Sequence, residues 1–314
     1  MKTQETVIAA STAQRKLSTL AHEYLELTKP RVVSLIVFTA VVGMFLSTPS
    51  GLPLVPFIFG TLGIAFAAGS AAAINHILDR RFDSDMKRTS TRPLPTGSLS
   101  TREALIFALS LGALSMAILY WGVNTLTAVL TFTSLIGYSV VYTVYLKHAT
   151  PQNIVIGGAA GAAPPVLGWA AITGEVTSDA LLLFLIIFLW TPPHFWALAL
   201  YREKEYAKVG IPMLPVTHGR EFTQLHILLY TILLAAVTVM PFATHMSGWL
   251  YLFGAIILNA GFIYYAVRLY KNYSDDLSRQ TFRYSIQYLS LLFGLLLVDH
   301  YRVFIHEALQ SALY

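Results

Sequence analysis

The chain contains no cysteine, which excludes disulfides, thiolate metal sites and a thiol nucleophile. Charge is scarce as well. Only 12% of the 314 residues are Asp, Glu, Lys or Arg, where an ordinary soluble domain carries about 25%. A chain that is 55% hydrophobic with so few charges cannot face water on every side. Its class is therefore an integral membrane protein, one bundle rather than two soluble domains. The net charge of +5 does not indicate nucleic acid, because the basic residues are spread between apolar runs instead of gathered on a polar module. No cleavable signal peptide is expected, since residues 1–31 are polar and mixed.

A helix needs about 20 apolar residues to cross a bilayer. Nine stretches approach this, at 32–48, 54–78, 104–121, 125–146, 153–172, 180–200, 224–246, 249–269 and 284–305. Backbone groups in lipid must be satisfied within the segment, so helices are expected, and no alternating barrel pattern is present. The fold class is all-α: a polytopic membrane protein of nine transmembrane helices. Residues 1–31 form an N-terminal segment, 32–305 the transmembrane domain and 306–314 a short tail. Of the 21 Lys and Arg residues, only Arg302 falls on the side of the short odd-numbered connections. The positive-inside rule then places the N-terminus and the long loops after helices 2 and 6 in the cytoplasm, and the C-terminus outside.

Polar residues concentrate at the ends of those two helices. Helix 2 closes with "NHILDRRFDSDMKRTSTRPLPTG", in which Asn75, Asp79 and Asp83 recur every four residues. Each step of four returns to within about 40° on a helix, so the three form one stripe. Two carboxylates offer hard oxygen donors suited to Mg²⁺, which commonly completes its shell with substrate phosphates. Arg80, Arg81, Lys87, Arg88 and Arg92 stand beside the stripe, and Lys147 at the end of helix 4 lies level with it, so these cations are candidates for an anionic ligand. The plainer reading is a solvated helix end, but polar groups within a span favour function. Helix 6 closes with "WTPPHFWALALYREKEY". Pro192 and Pro193 free backbone carbonyls and should open or kink the helix beside His194. By position alone, His194 reads as a hydrogen-bonded core residue and Arg202, Glu205 and Tyr206 as an ordinary charged helix end. Gly157, Gly158 and Gly161 read as a close-packing face. Asp299 and His300 suggest an interfacial role. The ends of helices 2 and 6 also resemble each other, as in a parallel internal repeat.

The Asn75, Asp79, Asp83 stripe resembles the first acidic motif of the intramembrane prenyltransferases of the UbiA superfamily. "DMKRTSTRPLPTG", "NIVIGGAAGAAPPVLGW", "WTPPHFWALAL" and "EYAKVGIPMLPVTHG" are similar to the branch that farnesylates haem, and the likeness covers about residues 24 to 305. The resemblance implies nine helices around a central cavity, farnesyl diphosphate as donor, haem B as acceptor and Mg²⁺ as cofactor. It implies Asn75, Asp79 and Asp83 as the catalytic stripe, with Asp79 and Asp83 on the metal. Lys87, Arg88, Arg92 and Lys147 would hold the diphosphate, and His194, Arg202 and Tyr206 the acceptor. It further implies a multi-pass protein of the bacterial inner membrane, in contact with the lipid bilayer and with haem A synthase or a terminal oxidase assembly, and no nucleic acid partner. Many relatives carry a second aspartate motif after helix 6, where this chain reads Tyr201-Arg202-Glu203-Lys204-Glu205-Tyr206; the haem branch shares that departure. Prenylation of a quinone or other aromatic acceptor is the alternative within the class, and a transporter the alternative outside it.

Overall fold

The computed structural model of the chain describes residues 18–48, 51–86 and 89–302, and these are helical with short connections. In chain order the elements are α1 (Ser18–Leu27), α2 (Pro30–Leu46), α3 (Leu54–Asp85), α4 (Pro93–Thr96), α5 (Thr101–Gly122), α6 (Thr125–Ala149), α7 (Asn153–Thr173), α8 (Ser178–Tyr201), α9 (Glu203–Lys208), α10 (Leu214–Ala243), α11 (Trp249–Lys271) and α12 (Asp275–His300). Among the described residues, eight helices are each long and apolar enough to span, and α1 with α2, bent by 56°, forms a ninth candidate. The nine expected spans are matched, with one systematic difference. Helices α3, α10 and α12 continue well past their apolar runs at the end that carries the basic loops. A polar last turn is still a helix when its side chains find partners, so hydropathy marks the edge of the greasy surface and not the end of the helix.

The outer surface is apolar. Trp121, Leu54, Ile257 and Trp249 are exposed, as a lipid-facing wall requires. Helices α3, α7 and α8 are the most enclosed, while α5 and α6 face outward. One core cluster gathers Leu183, Ile186, Trp190, Tyr251, Phe262, Tyr288 and Phe293 from α8, α11 and α12. A second joins Met86 to Trp196, Leu200, Met213 and Ile227, tying the ends of α3 and α8 together. Helices α2 and α7 cross at backbone distance. A Cβ on Gly43 would lie 2.3 Å from the Pro165 carbonyl oxygen, and one on Gly168 would lie 2.0 Å from that of Ala40. Small residues permit this approach, which drives helix association where lipid supplies no hydrophobic contrast.

Asp299 is buried and accepts from the backbone N–H groups of Gly248 and Tyr251, with Arg302 pairing at 3.2 Å. A carboxylate there neutralises the positive N-terminal end of α11.

Candidate active site

The stripe on α3 is buried. Asp79 is 6% exposed and Asp83 5%, and three other parts of the chain send polar groups to the stripe. Lys147 Nζ lies 2.6 Å from Asp79 Oδ1. Asn75 Nδ2 donates to Asp79 Oδ2 at 3.0 Å, and also lies 3.3 Å from the Thr143 hydroxyl. Arg92 Nη1 lies 2.6 Å from Asp83 Oδ2. Lys29 Nζ donates to Asn75 Oδ1. Isolated charges could not be held here, since desolvation costs several kcal/mol per ion. Charge pairing and hydrogen bonds offset that cost, and breaking one partner leaves an unpaired buried ion.

Local chemistry explains each arrival. The loop after α3 is tied back where the Thr89 hydroxyl donates to the Asp83 carbonyl at 2.9 Å. Pro93 then opens the short α4 and Gly97, at φ 78°, ends it. The "RPLPTG" run is thus a compact turn that returns Arg92 over Asp83. Lys147 arrives through an irregularity in α6, which is wound as a π-helix over Gly137–Leu146. The wider turn lets Thr143 and Lys147 both meet α3, while Tyr138 and Tyr142 stack beneath them at 5.5 Å. Such π segments are common at functional sites. Gly157 of α7 leaves room for the Tyr142 ring, which a Cβ would strike at 2.1 Å. Lys29 sits between α1 and α2 at φ 51°, a left-handed pose that costs a non-glycine residue roughly 1 kcal/mol.

The sequence expectations fare unevenly here. Asn75, Asp79, Asp83, Arg92 and Lys147 come together. Lys87 and Arg88 lie outside the described residues. Arg80 turns away and donates to the Thr101 hydroxyl of α5 at 2.5 Å, and Arg81 is exposed. Lys29 lies in what the sequence reads as the polar N-terminal segment, so hydropathy does not single it out. A lysine directly before the proline that starts the first apolar run was the available signal.

The end of α8 is a different environment. Pro192 and Pro193 lie inside α8 without ending it. His194 is 7% exposed and lies between two rings, Trp190 at 4.2 Å and Phe282 at 4.6 Å. Its Nδ1 lies 2.7 Å from the Ser285 hydroxyl, which itself donates to the Phe282 carbonyl at 2.6 Å. With the serine proton committed, Nδ1–H donates and Nε2 keeps its lone pair, the tautomer a metal ligand needs. Arg202 pairs with Glu205 at 3.1 Å and Glu203 with Arg220 at 2.5 Å, so both glutamates after α8 are neutralised by arginine. Burial works against the Arg202 charge, but the Tyr201 and Glu205 contacts outweigh it and hold its pKa above the ordinary value. Tyr206 packs in the Met86–Trp196 cluster. Lys208 Nζ donates to the Asp85 carbonyl at 3.1 Å, which joins the segment after α8 to the end of α3.

Could the stripe hold a divalent cation? Among the described residues no three acidic or histidine side chains converge. Two carboxylates, Asp79 and Asp83, stand one turn apart on the stripe, and Asp83 Oδ1 has no hydrogen-bond partner among the described residues. Two hard carboxylates are a donor set that fits Mg²⁺, which completes its shell with water and substrate phosphate oxygens.

A helical membrane bundle with a buried acidic stripe facing cations defines a class, the intramembrane prenyltransferases. The UbiA prenyltransferase family model matches residues 36–292, and the chain belongs to that family. It is 61% identical to "Protoheme IX farnesyltransferase" of Nitrosospira multiformis over 93% of this chain and 98% of that one. Against the protein of the same name from Nitrosococcus oceani it is 63% identical over 89% and 93%. Among solved structures it is similar to a digeranylgeranylglyceryl phosphate synthase, with TM-score 0.76 at 18% identity over 90% of this chain and 99% of that one. A UbiA homologue from Archaeoglobus fulgidus bound to DMAPP and Mg²⁺ gives TM-score 0.60 at 20% identity over 87% and 99%. At those identities the likeness speaks for the fold.

Proposed function

We propose that this chain transfers a farnesyl group from farnesyl diphosphate to a vinyl group of haem B, giving haem O and diphosphate. The observation that carries the reading is the pairing of Asp79 and Asp83 with Lys147 and Arg92 on a buried stripe, in a chain about 60% identical to named protohaem IX farnesyltransferases. The Mg²⁺ complex of the Archaeoglobus homologue supports the cofactor. Mg²⁺, held by Asp79 and Asp83, would neutralise charge that develops on the departing diphosphate.

The chain's own groups do the rest. Asn75 bonds Asp79 and is itself held by Lys29, so the stripe is set before substrate arrives. Lys147 and Arg92, with Lys87 and Arg88 of the same loop, donate to diphosphate oxygens. The C–O bond of farnesyl diphosphate breaks, its electron pair leaves with diphosphate, and an allylic cation remains. The apolar surroundings keep water from quenching it early. The vinyl π pair of haem then forms the new C–C bond, and the cation next to the porphyrin takes the oxygen of one water, releasing one proton. The product carries a hydroxyethylfarnesyl group, and no covalent nucleophile is needed. His194, with its Nε2 lone pair, would serve the acceptor as an iron ligand, while bonding a propionate would need the other tautomer or the protonated ring; Arg202 and Tyr206 would stand on the acceptor side.

The basic asymmetry supports an inner-membrane protein with its N-terminus and active site cytoplasmic and its C-terminus outside. Its product would pass to haem A synthase or a terminal oxidase assembly. A quinone acceptor is disfavoured because the segment after α8, Tyr201 to Tyr206, carries no second aspartate motif and follows the "PPHFW" stretch. The test is mass analysis of pigment after purified protein meets haem B and farnesyl diphosphate in ¹⁸O-water. The expected product gains farnesyl plus one labelled hydroxyl. Recovery of unmodified haem with intact farnesyl diphosphate refutes the reading.

A further inference from the structure

At the basic end of the bundle, between α8 and α12, lies a cavity of about 270 Å³ lined by Tyr201, Arg202, Glu205, Arg279, Phe282 and Arg283. Three guanidinium groups face a single carboxylate. Arg202 uses that carboxylate at 3.1 Å, and its Nε–H is buried with no acceptor among the described residues. Arg279 and Arg283 stand one turn apart on α12, and no carboxylate among the described residues pairs with either. Arg279 instead lies over the Tyr201 ring at 5.3 Å, on the ring that Arg202 also approaches at 5.3 Å. Like charges at i and i+4 oppose each other and destabilise a helix unless an anion sits between them.

Phe282 separates the cavity from His194: it lines the cavity on one side and stacks on the His194 ring at 4.6 Å on the other. Eight residues separate His194 from Arg202, about 12 Å of helix axis. With the acceptor held at His194, the cavity stands about two turns further along α8, the distance its acid side chains have to span. We propose that Arg279 and Arg283, with Arg202, form a dicarboxylate site that takes the two propionates of the acceptor and so sets which porphyrin edge faces the acidic stripe. The inference rests on haem being the acceptor. Planar guanidinium groups bind carboxylates through two parallel hydrogen bonds, which a lysine could not reproduce. With Glu205 occupied by Arg202, Arg279 and Arg283 bring two uncompensated positive charges to two carboxylates.

The experiment compares haem B with its dimethyl ester, by absorbance titration of the full-length protein in detergent. Unaltered protein should prefer the free diacid by about 30-fold or more. The double variant Arg279→Gln, Arg283→Gln should lose that preference by weakening for the diacid only, with ester affinity and farnesyl diphosphate affinity unchanged. Arg268→Gln, on α11 and away from the cavity, should keep the preference. A preference that survives in the double variant, or is missing from unaltered protein that still makes farnesylated haem, overturns the site. Weakened farnesyl diphosphate binding with the haem preference intact assigns the cavity to the donor and equally overturns it. Unaltered protein that neither binds nor farnesylates haem overturns the acceptor reading itself, and this site with it.

Discussion

The ends of α3 and α8 begin alike in sequence, each an apolar helix running into charge, and finish as opposite environments. On α3 two aspartates are buried and paired with Lys147 and Arg92, while Lys29 holds Asn75 beside them, all three brought from other parts of the chain. At α8 the acids are few and already held by arginines, and the buried polar group is one neutral-type histidine clamped between rings. On the proposed function, the first exchanges its internal ion pairs for a metal and a diphosphate. The second presents a lone pair and surplus guanidinium charge. A helix end thus acquires its chemistry from what packs against it. The apparent repeat between the two loops carries position, and their partners carry function.

The largest effect should come from the α3 side. Asp79→Asn and Asp83→Asn keep volume and remove charge, and each should lower turnover by at least about 100-fold, or about 2.7 kcal/mol in the barrier. Haem binding should persist. Because Asp79→Asn also strands the Lys147 charge, melting temperature should be followed alongside, and a loss of activity that merely tracks unfolding would remove the division between the two ends. Near-normal turnover in both variants would remove the stripe from the mechanism.

His194→Ala should come next. It should weaken haem binding by about 10-fold or more, in the range of one lost strong contact, and shift the Soret band while farnesyl diphosphate affinity stays level. His194→Gln should retain the fold and still lose any axial ligation. An unchanged spectrum and affinity would return His194 to a packing role. Lys29→Met should reduce turnover by roughly 10-fold, as expected for loss of one charge-assisted hydrogen bond. Its effect should appear in kcat for farnesyl diphosphate rather than in haem affinity, and equal effects on both would make Lys29 a general stabiliser. The smallest effect is expected for Ser285→Ala. Freed from its acceptor, the His194 ring can take either tautomer, and haem affinity should fall by about 3-fold. No change at all would mean that Trp190 and Phe282 alone orient the ring.

Much of this was legible before any coordinates. Apolar runs of span length exposed the bundle, because lipid leaves a chain little freedom in composition. The i, i+4 rhythm exposed the stripe, because a helix converts that rhythm into one face. Partners from distant sequence were harder. Lys147 and Arg92 could be placed level with the stripe, but Lys29 could not, since its contact depends on a left-handed residue between α1 and α2. The π-wound part of α6 leaves no mark on hydrophobic patterning, as its residues stay apolar under either winding. Arg279 and Arg283 enter the sequence reading only as part of the basic asymmetry between the two sides. Only the approach of Tyr201 and Phe282 makes them the wall of a cavity. Arg80 and Arg81 had the right charge and proximity in sequence, yet point elsewhere on the helix.

The most direct test of the division of labour measures two equilibria in the same preparations, haem by absorbance titration and farnesyl diphosphate with Mg²⁺ by calorimetry, for Asp83→Asn and His194→Ala. The two-ended site predicts a crossed pattern: Asp83→Asn loses the diphosphate and keeps haem, while His194→Ala weakens for haem and keeps the diphosphate. Parallel losses of both ligands in either variant, in protein that melts normally, would contradict it.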